Sequence, residues 1–230
     1  DNPYAGAITI TSGVLKLGGA GDGTNTPLGT SAANTSISNG AMLDLNGFTL
    51  GRAETINTFR GTGIALQGAI INSSATAVSY SGNLTIATSA RIGADHGKIT
   101  ISGTISGAGL PLTVGGFGDI DITGAITTTT GAVTKEGFGT YTPSSVDSSY
   151  SGATTISAGK LKLGSAGGAT NGPLGVIGGV TAITAGATFD LNGYSLLSAE
   201  PITNLNGIGY KTGDFGTGAL INSSATPVTY

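Results

Sequence analysis

Tyr4-Ala-Gly-Ala-Ile-Thr-Ile-Thr-Ser-Gly-Val-Leu-Lys-Leu-Gly18 returns as Tyr150-Ser-Gly-Ala-Thr-Thr-Ile-Ser-Ala-Gly-Lys-Leu-Lys-Leu-Gly164, 146 residues further on. Apolar and polar residues alternate inside both copies, as in Ile8-Thr9-Ile10 and Leu15-Lys16-Leu17. Period-two alternation describes a β-strand with one buried and one wet face. Self-similarity at long range is the signature of stacked-repeat architectures. The same offset carries Pro27-Leu28-Gly29 onto Pro173-Leu174-Gly175, Asp44-Leu45-Asn46-Gly47 onto Asp190-Leu191-Asn192-Gly193, and Glu54 onto Glu200. It widens to 150 near Lys211 to Asp214, after which Ile71-Asn72-Ser73-Ser74-Ala75-Thr76 returns as Ile221-Asn222-Ser223-Ser224-Ala225-Thr226.

A weaker copy lies between the two. Tyr80-Ser81-Gly82-Asn83-Leu84-Thr85-Ile86 again reads Tyr-Ser-Gly followed by an alternating strand. Tyr4, Tyr80, Tyr150 and Tyr230 therefore divide the chain into residues 4–79, 80–149 and 150–230. The first and third units are one type, A, and the middle is another, B. The order A-B-A stops where another unit would begin, which suggests a window from a longer array or a protomer whose ends can meet.

Composition narrows the class. Charged residues are 9% of the chain, against a usual share of about 25%. Hydrophobic residues are 38%. Low charge with ample apolar content is the opposite of a disordered chain. Glycine is abundant, at 42 of 230 residues, yet the 7 prolines and the lack of a three-residue period exclude collagen. Glu, Lys and Arg are too scarce to surface ordinary helices. The net charge of −3 and the absence of a basic stripe argue against nucleic acid. No apolar run approaches the ~20 residues of a membrane-spanning helix. There is no cysteine, which removes disulfides, thiol catalysis and thiolate zinc sites. The chain begins at Asp1 without a Met or a signal-like segment, as expected of a processed or excised sequence.

Short alternating strands such as Ile99-Thr100-Ile101 and Ile120-Asp121-Ile122 are punctuated by Gly, Asn, Ser and Asp, with Asn39-Gly40 and Asn46-Gly47 as turn signals. A sandwich or a propeller competes with a solenoid, but a sandwich has longer strands and no long repeat. The expected fold is a single all-β domain, a right-handed parallel β-helix over residues 1–230. With coils of roughly 21 residues, the offset spans about seven coils and the whole chain about eleven, a rod of roughly 50 Å at ~4.8 Å per coil. The end coils of such a rod leave backbone N–H and C=O groups open to pairing, and natural solenoids cap them. Neither Asp1, Asn2, Pro3 and Tyr4 nor Val228, Thr229 and Tyr230 reads as a cap. These residues are the candidate assembly ends.

Val133-Thr-Lys-Glu-Gly-Phe-Gly-Thr-Tyr-Thr-Pro143, running into Tyr150 to Leu163, resembles the autotransporter passenger-associated β-strand repeat family. That family reads roughly Leu-x-Lys-x-Gly-x-Gly-Thr, a short strand, then Tyr-x-Gly-x-Thr-x-Ile-x-x-Gly-x-Leu-x-Leu. The second half recurs from Tyr4 and more loosely from Tyr80. Pro143 departs from the family's strand leucine, and a proline there is expected to shorten the strand. The membrane-barrel translocator expected of an autotransporter is not in this sequence. The resemblance implies a bacterial β-helical rod, secreted or displayed at the surface.

Several residues carry possible chemistry. Asp119 and Asp121 share one strand face, as in β-helical glycosidases or calcium sites; the plainer reading is a solvated face. Gly115-Gly116-Phe117-Gly118-Asp119 approaches a calcium nonapeptide, but Ile120 stands at its Asp position. His96, the only histidine, lies beside Asp95 in a Gly-rich turn without an activated-serine motif. Lys16, Lys160 and Lys162 are expected to point outward and deter sideways pairing. The four boundary tyrosines either stack in the core or form an exposed row for sugars. The two Asp-Leu-Asn-Gly blocks read as turns, and their duplication favours architecture over catalysis. Thr127 to Thr130 lacks the regular row that ice binding needs.

These readings give three expectations. The first is a non-enzymatic structural repeat of an extracellular filament, adhesin stalk or matrix fibre, without cofactor or metal, whose partners are copies of itself. The second is a passenger recognising surface glycans. The third is a polysaccharide lyase or hydrolase using Asp119 and Asp121.

Overall fold

The computed structural model describes residues 2–30, 34–197, 200–212 and 215–230. Asp1, an expected assembly end, and Gly213 and Asp214, within the insertion, lie outside them. Among the described residues there are mostly parallel β-strands, two small antiparallel pairs (Asn171–Gly172 with Gly175–Val176, and Lys211–Thr212 with Phe215–Gly216) and one 3₁₀ turn at Ile64–Leu66, and no α-helix. Strands are short because glycine- and asparagine-rich corners interrupt them every few residues.

All the other strands fall into three lines. The first runs Ile8–Ile10, Thr35–Ile37, Ile56–Gly61, Leu84–Ala94, Ile105–Ser106 and Ile126–Thr127. The second runs Gly13–Lys16, Ala41–Asp44, Ile70–Asn72, the end of Leu84–Ala94, Leu112–Gly116, Val133–Glu136, Thr154–Ile156, Thr181–Ile183 and Ile202–Leu205. The third runs Val78–Tyr80, Ile99–Ile101, Ile120–Ile122, Thr140–Pro143, Gly159–Lys162, Ala187–Asp190 and Leu220–Ile221. Leu84–Ala94 is long enough to serve two lines, so these merge into a 14-stranded sheet beside a 7-stranded one. This all-β body of long parallel sheets is consistent with a β-solenoid.

Identical register places like residues over like. In the second line Leu15, Leu43, Ile70, Ile92, Val114, Lys135, Ile156, Ile183 and Leu205 follow one another as direct partners. In the third, Val78, Ile99, Ile120, Tyr141, Leu161, Phe189 and Leu220 do the same. Apart from Lys135 and the exposed Leu205, the members of these columns belong to the core or pack against it. The steps are 21 or 22 residues in the middle unit, as from Ile99 to Ile120 and from Ala90 to Leu112. They lengthen in both type A units, to 27 from Ile8 to Thr35 and 28 from Gly159 to Ala187. The expectation of uniform coils therefore holds for unit B only.

The spacing has a second effect. Ile8–Ile10 begins the first line, whereas its repeat Thr154–Ile156 sits in the second, and Gly159–Lys162, the repeat of Gly13–Lys16, sits in the third. The 146-residue offset is thus not a whole number of coils; it carries the second A unit one line further round. Pro143 pairs with Ile122 on one side, while on the other the pairing with Gly159–Lys162 stops at Tyr141. The missing N–H shortens the ladder there, as expected.

Candidate functional site

The repeated polar blocks build corners. Asp44 is buried, and its Oδ1 accepts the N–H groups of Asn46 (2.9 Å) and Ser73 (3.1 Å) while Oδ2 accepts the Ser73 hydroxyl (2.6 Å). Asn72 completes the corner: its Oδ1 accepts Gly47 N–H at 3.0 Å and its Nδ2 donates to the Thr76 carbonyl at 2.8 Å. Asp190, Asn192, Asn222 and Ser223 repeat this set. Lys16 and Lys160 place their ammonium groups 3.6 and 3.7 Å from the two buried aspartates, so their alternation with Leu serves these corners.

The tyrosines at the unit boundaries divide. Tyr80 and Tyr150 are buried; Tyr4 and Tyr230 are half exposed. The hydroxyl of Tyr80 donates to the Glu54 carbonyl at 2.6 Å, and that of Tyr230 donates to the Glu200 carbonyl. Burial raises the Tyr80 and Tyr150 phenols and pushes Tyr230 up to about 12. The four therefore form no exposed row. Glu54 is buried with Thr26 (2.5 Å) and Arg52 (2.6 Å), and desolvation lifts its carboxyl against both partners. Glu200 takes Thr181 at 2.9 Å, and the position matching Arg52 is Ser198 in the sequence. Desolvation, only partly offset by that hydroxyl, raises Glu200 to about 7.

Lys135 is the charged member of an apolar column. Its ammonium donates to the carbonyls of Glu136 (2.7 Å), Gly137 (2.8 Å) and Ala158 (3.2 Å), using all three protons. Burial, and then the neighbouring Arg91, pull it down to about 7. Gly159, at φ 64°, lies against it: a Cβ there would stand 3.0 Å from Nζ. Arg91 is buried, pairs with Glu136, and donates from Nε to the Gln67 carbonyl at 3.3 Å.

Beside this cluster runs an exposed ridge that sequence reasoning missed. Phe117 and Phe138 are 70% and 59% exposed, with ring centroids 5.6 Å apart, and Tyr210 follows at 6.4 Å. The signal was the pair Gly116-Phe117-Gly118 and Gly137-Phe138-Gly139, one 21-residue step apart. The flanking backbones stack so closely that a Cβ at Gly139 would run into the Gly118 carbonyl, so only the aromatics carry side chains outward. A cavity of about 230 Å³ adjoins Phe117, lined also by Leu66, Gln67, Arg91 and Asp95.

Asp119 and Asp121, read as a solvated strand face and as catalytic only on the third expectation, both have partners. Asp119 Oδ1 accepts the Thr140 N–H at 2.7 Å, and Asp121 pairs with Lys98. His96 is exposed in its turn, with Nδ1 3.3 Å from Asp95. Thr128 is buried and Thr129 is in left-handed backbone, so that run presents no flat hydroxyl row. Among the described residues no three His, Cys, Asp or Glu side chains gather as a metal site, and no helix is long and apolar enough to cross a membrane.

The two outer edges differ from the interior. Leu205 is 55% exposed, whereas Phe59, its counterpart in the first unit, is fully buried beneath Ile86. At the other edge, an open cleft of about 280 Å³ is lined by Ile8, Ile10, Val14 and Leu15. No family model matches the chain, and no curated protein or solved structure matches it.

Proposed function

We propose that the chain is a structural repeat protein of a bacterial extracellular filament, surface fibre or adhesin stalk. It would be a right-handed parallel β-helix that assembles by coil-on-coil β-stacking, either along one long chain or head to tail between chains. The contrast between Leu205 and Phe59 carries this reading: at equivalent positions of the repeat, Phe59 lies under a strand and is buried, whereas Leu205 has no covering strand among the described residues and is exposed. An apolar column ending in an exposed leucine, beside open backbone groups, is a surface that recruits a strand. Right-handedness follows the general rule for parallel crossovers. The secreted location rests on the autotransporter-like repeat and a cysteine-free chain. Electron cryomicroscopy should find end-to-end filaments with a coil spacing of about 4.8 Å. Leu205→Lys should abolish them without lowering the melting temperature, because this leucine is exposed. Discrete rods at all concentrations would overturn the proposal.

A second reading, a glycan-binding passenger, is favoured by the Phe117–Phe138 pair. Exposed aromatic faces suit the apolar faces of sugar rings, and the cavity beside Phe117 offers amide, guanidinium and carboxylate groups. On this reading, glycan-array binding persists in Leu205→Lys and is lost in the Phe117→Ala, Phe138→Ala double variant.

A further inference from the structure

The internal repeat identifies what each open edge is built to receive. In the first A unit, Ile56–Gly61 and Ile70–Asn72 are covered by Leu84–Ala94, with Phe59 under Ile86 and Ile70 under Ile92. Val78–Tyr80 is covered by Ile99–Ile101. Both covering strands belong to unit B. The equivalent strands of the second A unit, Ile202–Leu205 and Leu220–Ile221, have no strand beyond them among the described residues. At the opposite edge the relation reverses. Thr154–Ile156 and Gly159–Lys162 rest on Val133–Glu136 and Thr140–Pro143, the closing strands of unit B. Their counterparts Ile8–Ile10 and Gly13–Lys16 have nothing beneath them among the described residues.

Resting on the coil-stacking reading, we propose that both edges select a type B segment: the outer edge at Leu205 takes the opening strands of a B unit, and the edge at Ile8 takes its closing strands. The preferred partner is therefore a B unit. An A unit laid directly on an A unit is a poorer fit. Three features of the surfaces support this. Hook geometry at the outer edge is already in place, since Tyr230 reaches the Glu200 carbonyl as Tyr80 reaches that of Glu54. Thr229 N–H meets the Ser195 hydroxyl at 2.9 Å, as Ser79 N–H meets that of Thr49 at 2.8 Å. Line placement is the third: in the chain itself, passage through B shifts the next A unit by one line, and a direct A-on-A junction omits that shift.

The test appends sequence after Tyr230 of the 230-residue sequence. One extension repeats residues 81–149, giving A-B-A-B; the other repeats residues 5–79, giving A-B-A-A. Hydrogen exchange of the Ile202–Leu205 amides is compared with the unextended chain. The B extension should slow exchange at least tenfold and the A extension should leave it unchanged. A second B extension, with lysine at the appended copy of Ile86, should lose the protection, because that residue must seat on Leu205. Equal protection by A and B would overturn the selectivity and leave coil stacking intact. No protection from either would overturn the stacking reading as well.

Discussion

Lys135 shows how a single side chain can be buried with its charge. Alternation with Val133 places it inward, and three carbonyls meet its three protons. Lysine at an apolar position ordinarily costs stability unless every proton is accepted. Its folded pKa is about 7, below the ordinary 10.5, so the unfolded chain binds more protons between those values. Stability should therefore rise as pH climbs from about 7 towards 10.5. Glu200 acts in the opposite sense: with its pKa raised from 4.5 to about 7, the folded chain holds the extra proton in that window. Its contribution falls as pH rises from about 4.5 to 7, and raised Glu54 has the same sign. The two limbs meet in a shallow minimum near neutrality. Urea titrations across pH should lose the alkaline limb in Lys135→Met and weaken the acidic limb in Glu200→Gln. Unchanged profiles in both variants would refute the assignment.

At the scale of elements, the corner formed by Asp44 and Asn72 explains why two distant sequence blocks repeat together. The Asp-Leu-Asn-Gly block alone reads as a turn; stacking brings it into one hydrogen-bonded set with the Asn72 block. Asp44→Ala leaves the Asn46 and Ser73 N–H groups without their acceptor and should cost about 2–4 kcal/mol. Asp190→Ala should cost less, because Asp190 Oδ2 has no hydrogen-bond partner among the described residues where Asp44 Oδ2 takes a serine hydroxyl. The midpoint of urea unfolding measures both, with an unchanged slope as the control. The strands themselves were legible: Ile99–Ile101 and Ile120–Ile122 alternate as read, and their 21-residue step is the one expected. The corners were not, because pairing across a coil leaves no local pattern. Nor were the 27- and 28-residue steps, since the extra residues lie in loops with no periodicity to count. The aromatic ridge escaped because Phe117 was read within a failed calcium motif and not against Phe138, one coil later.

Over the whole molecule, a β-solenoid of the proposed kind has coils that touch only their neighbours, so its stability is close to a sum of local interfaces. The column from Leu15 to Leu205 is buried in its middle and half-open at its ends. Fraying should start at the edges and move inward. Hydrogen exchange should be at least about tenfold slower at Val114 and Ile156 than at Leu205. Uniform exchange along the column would indicate a single cooperative block.

On the proposed β-helix, the one-line advance between A units gives the molecule the character of a screw. If A and B alternate along a rod, each A-B period turns the pattern by about a third of a revolution, and three periods restore the starting azimuth. A feature fixed to unit B, such as the Phe117–Phe138 pair, would then face three directions in succession. Such a rod has no privileged side. A flat target would meet every third pair only, whereas a surrounding mesh would meet all of them. Two rods lying side by side could not keep matching faces in contact over more than one period, so growth along the axis would outrun growth in width.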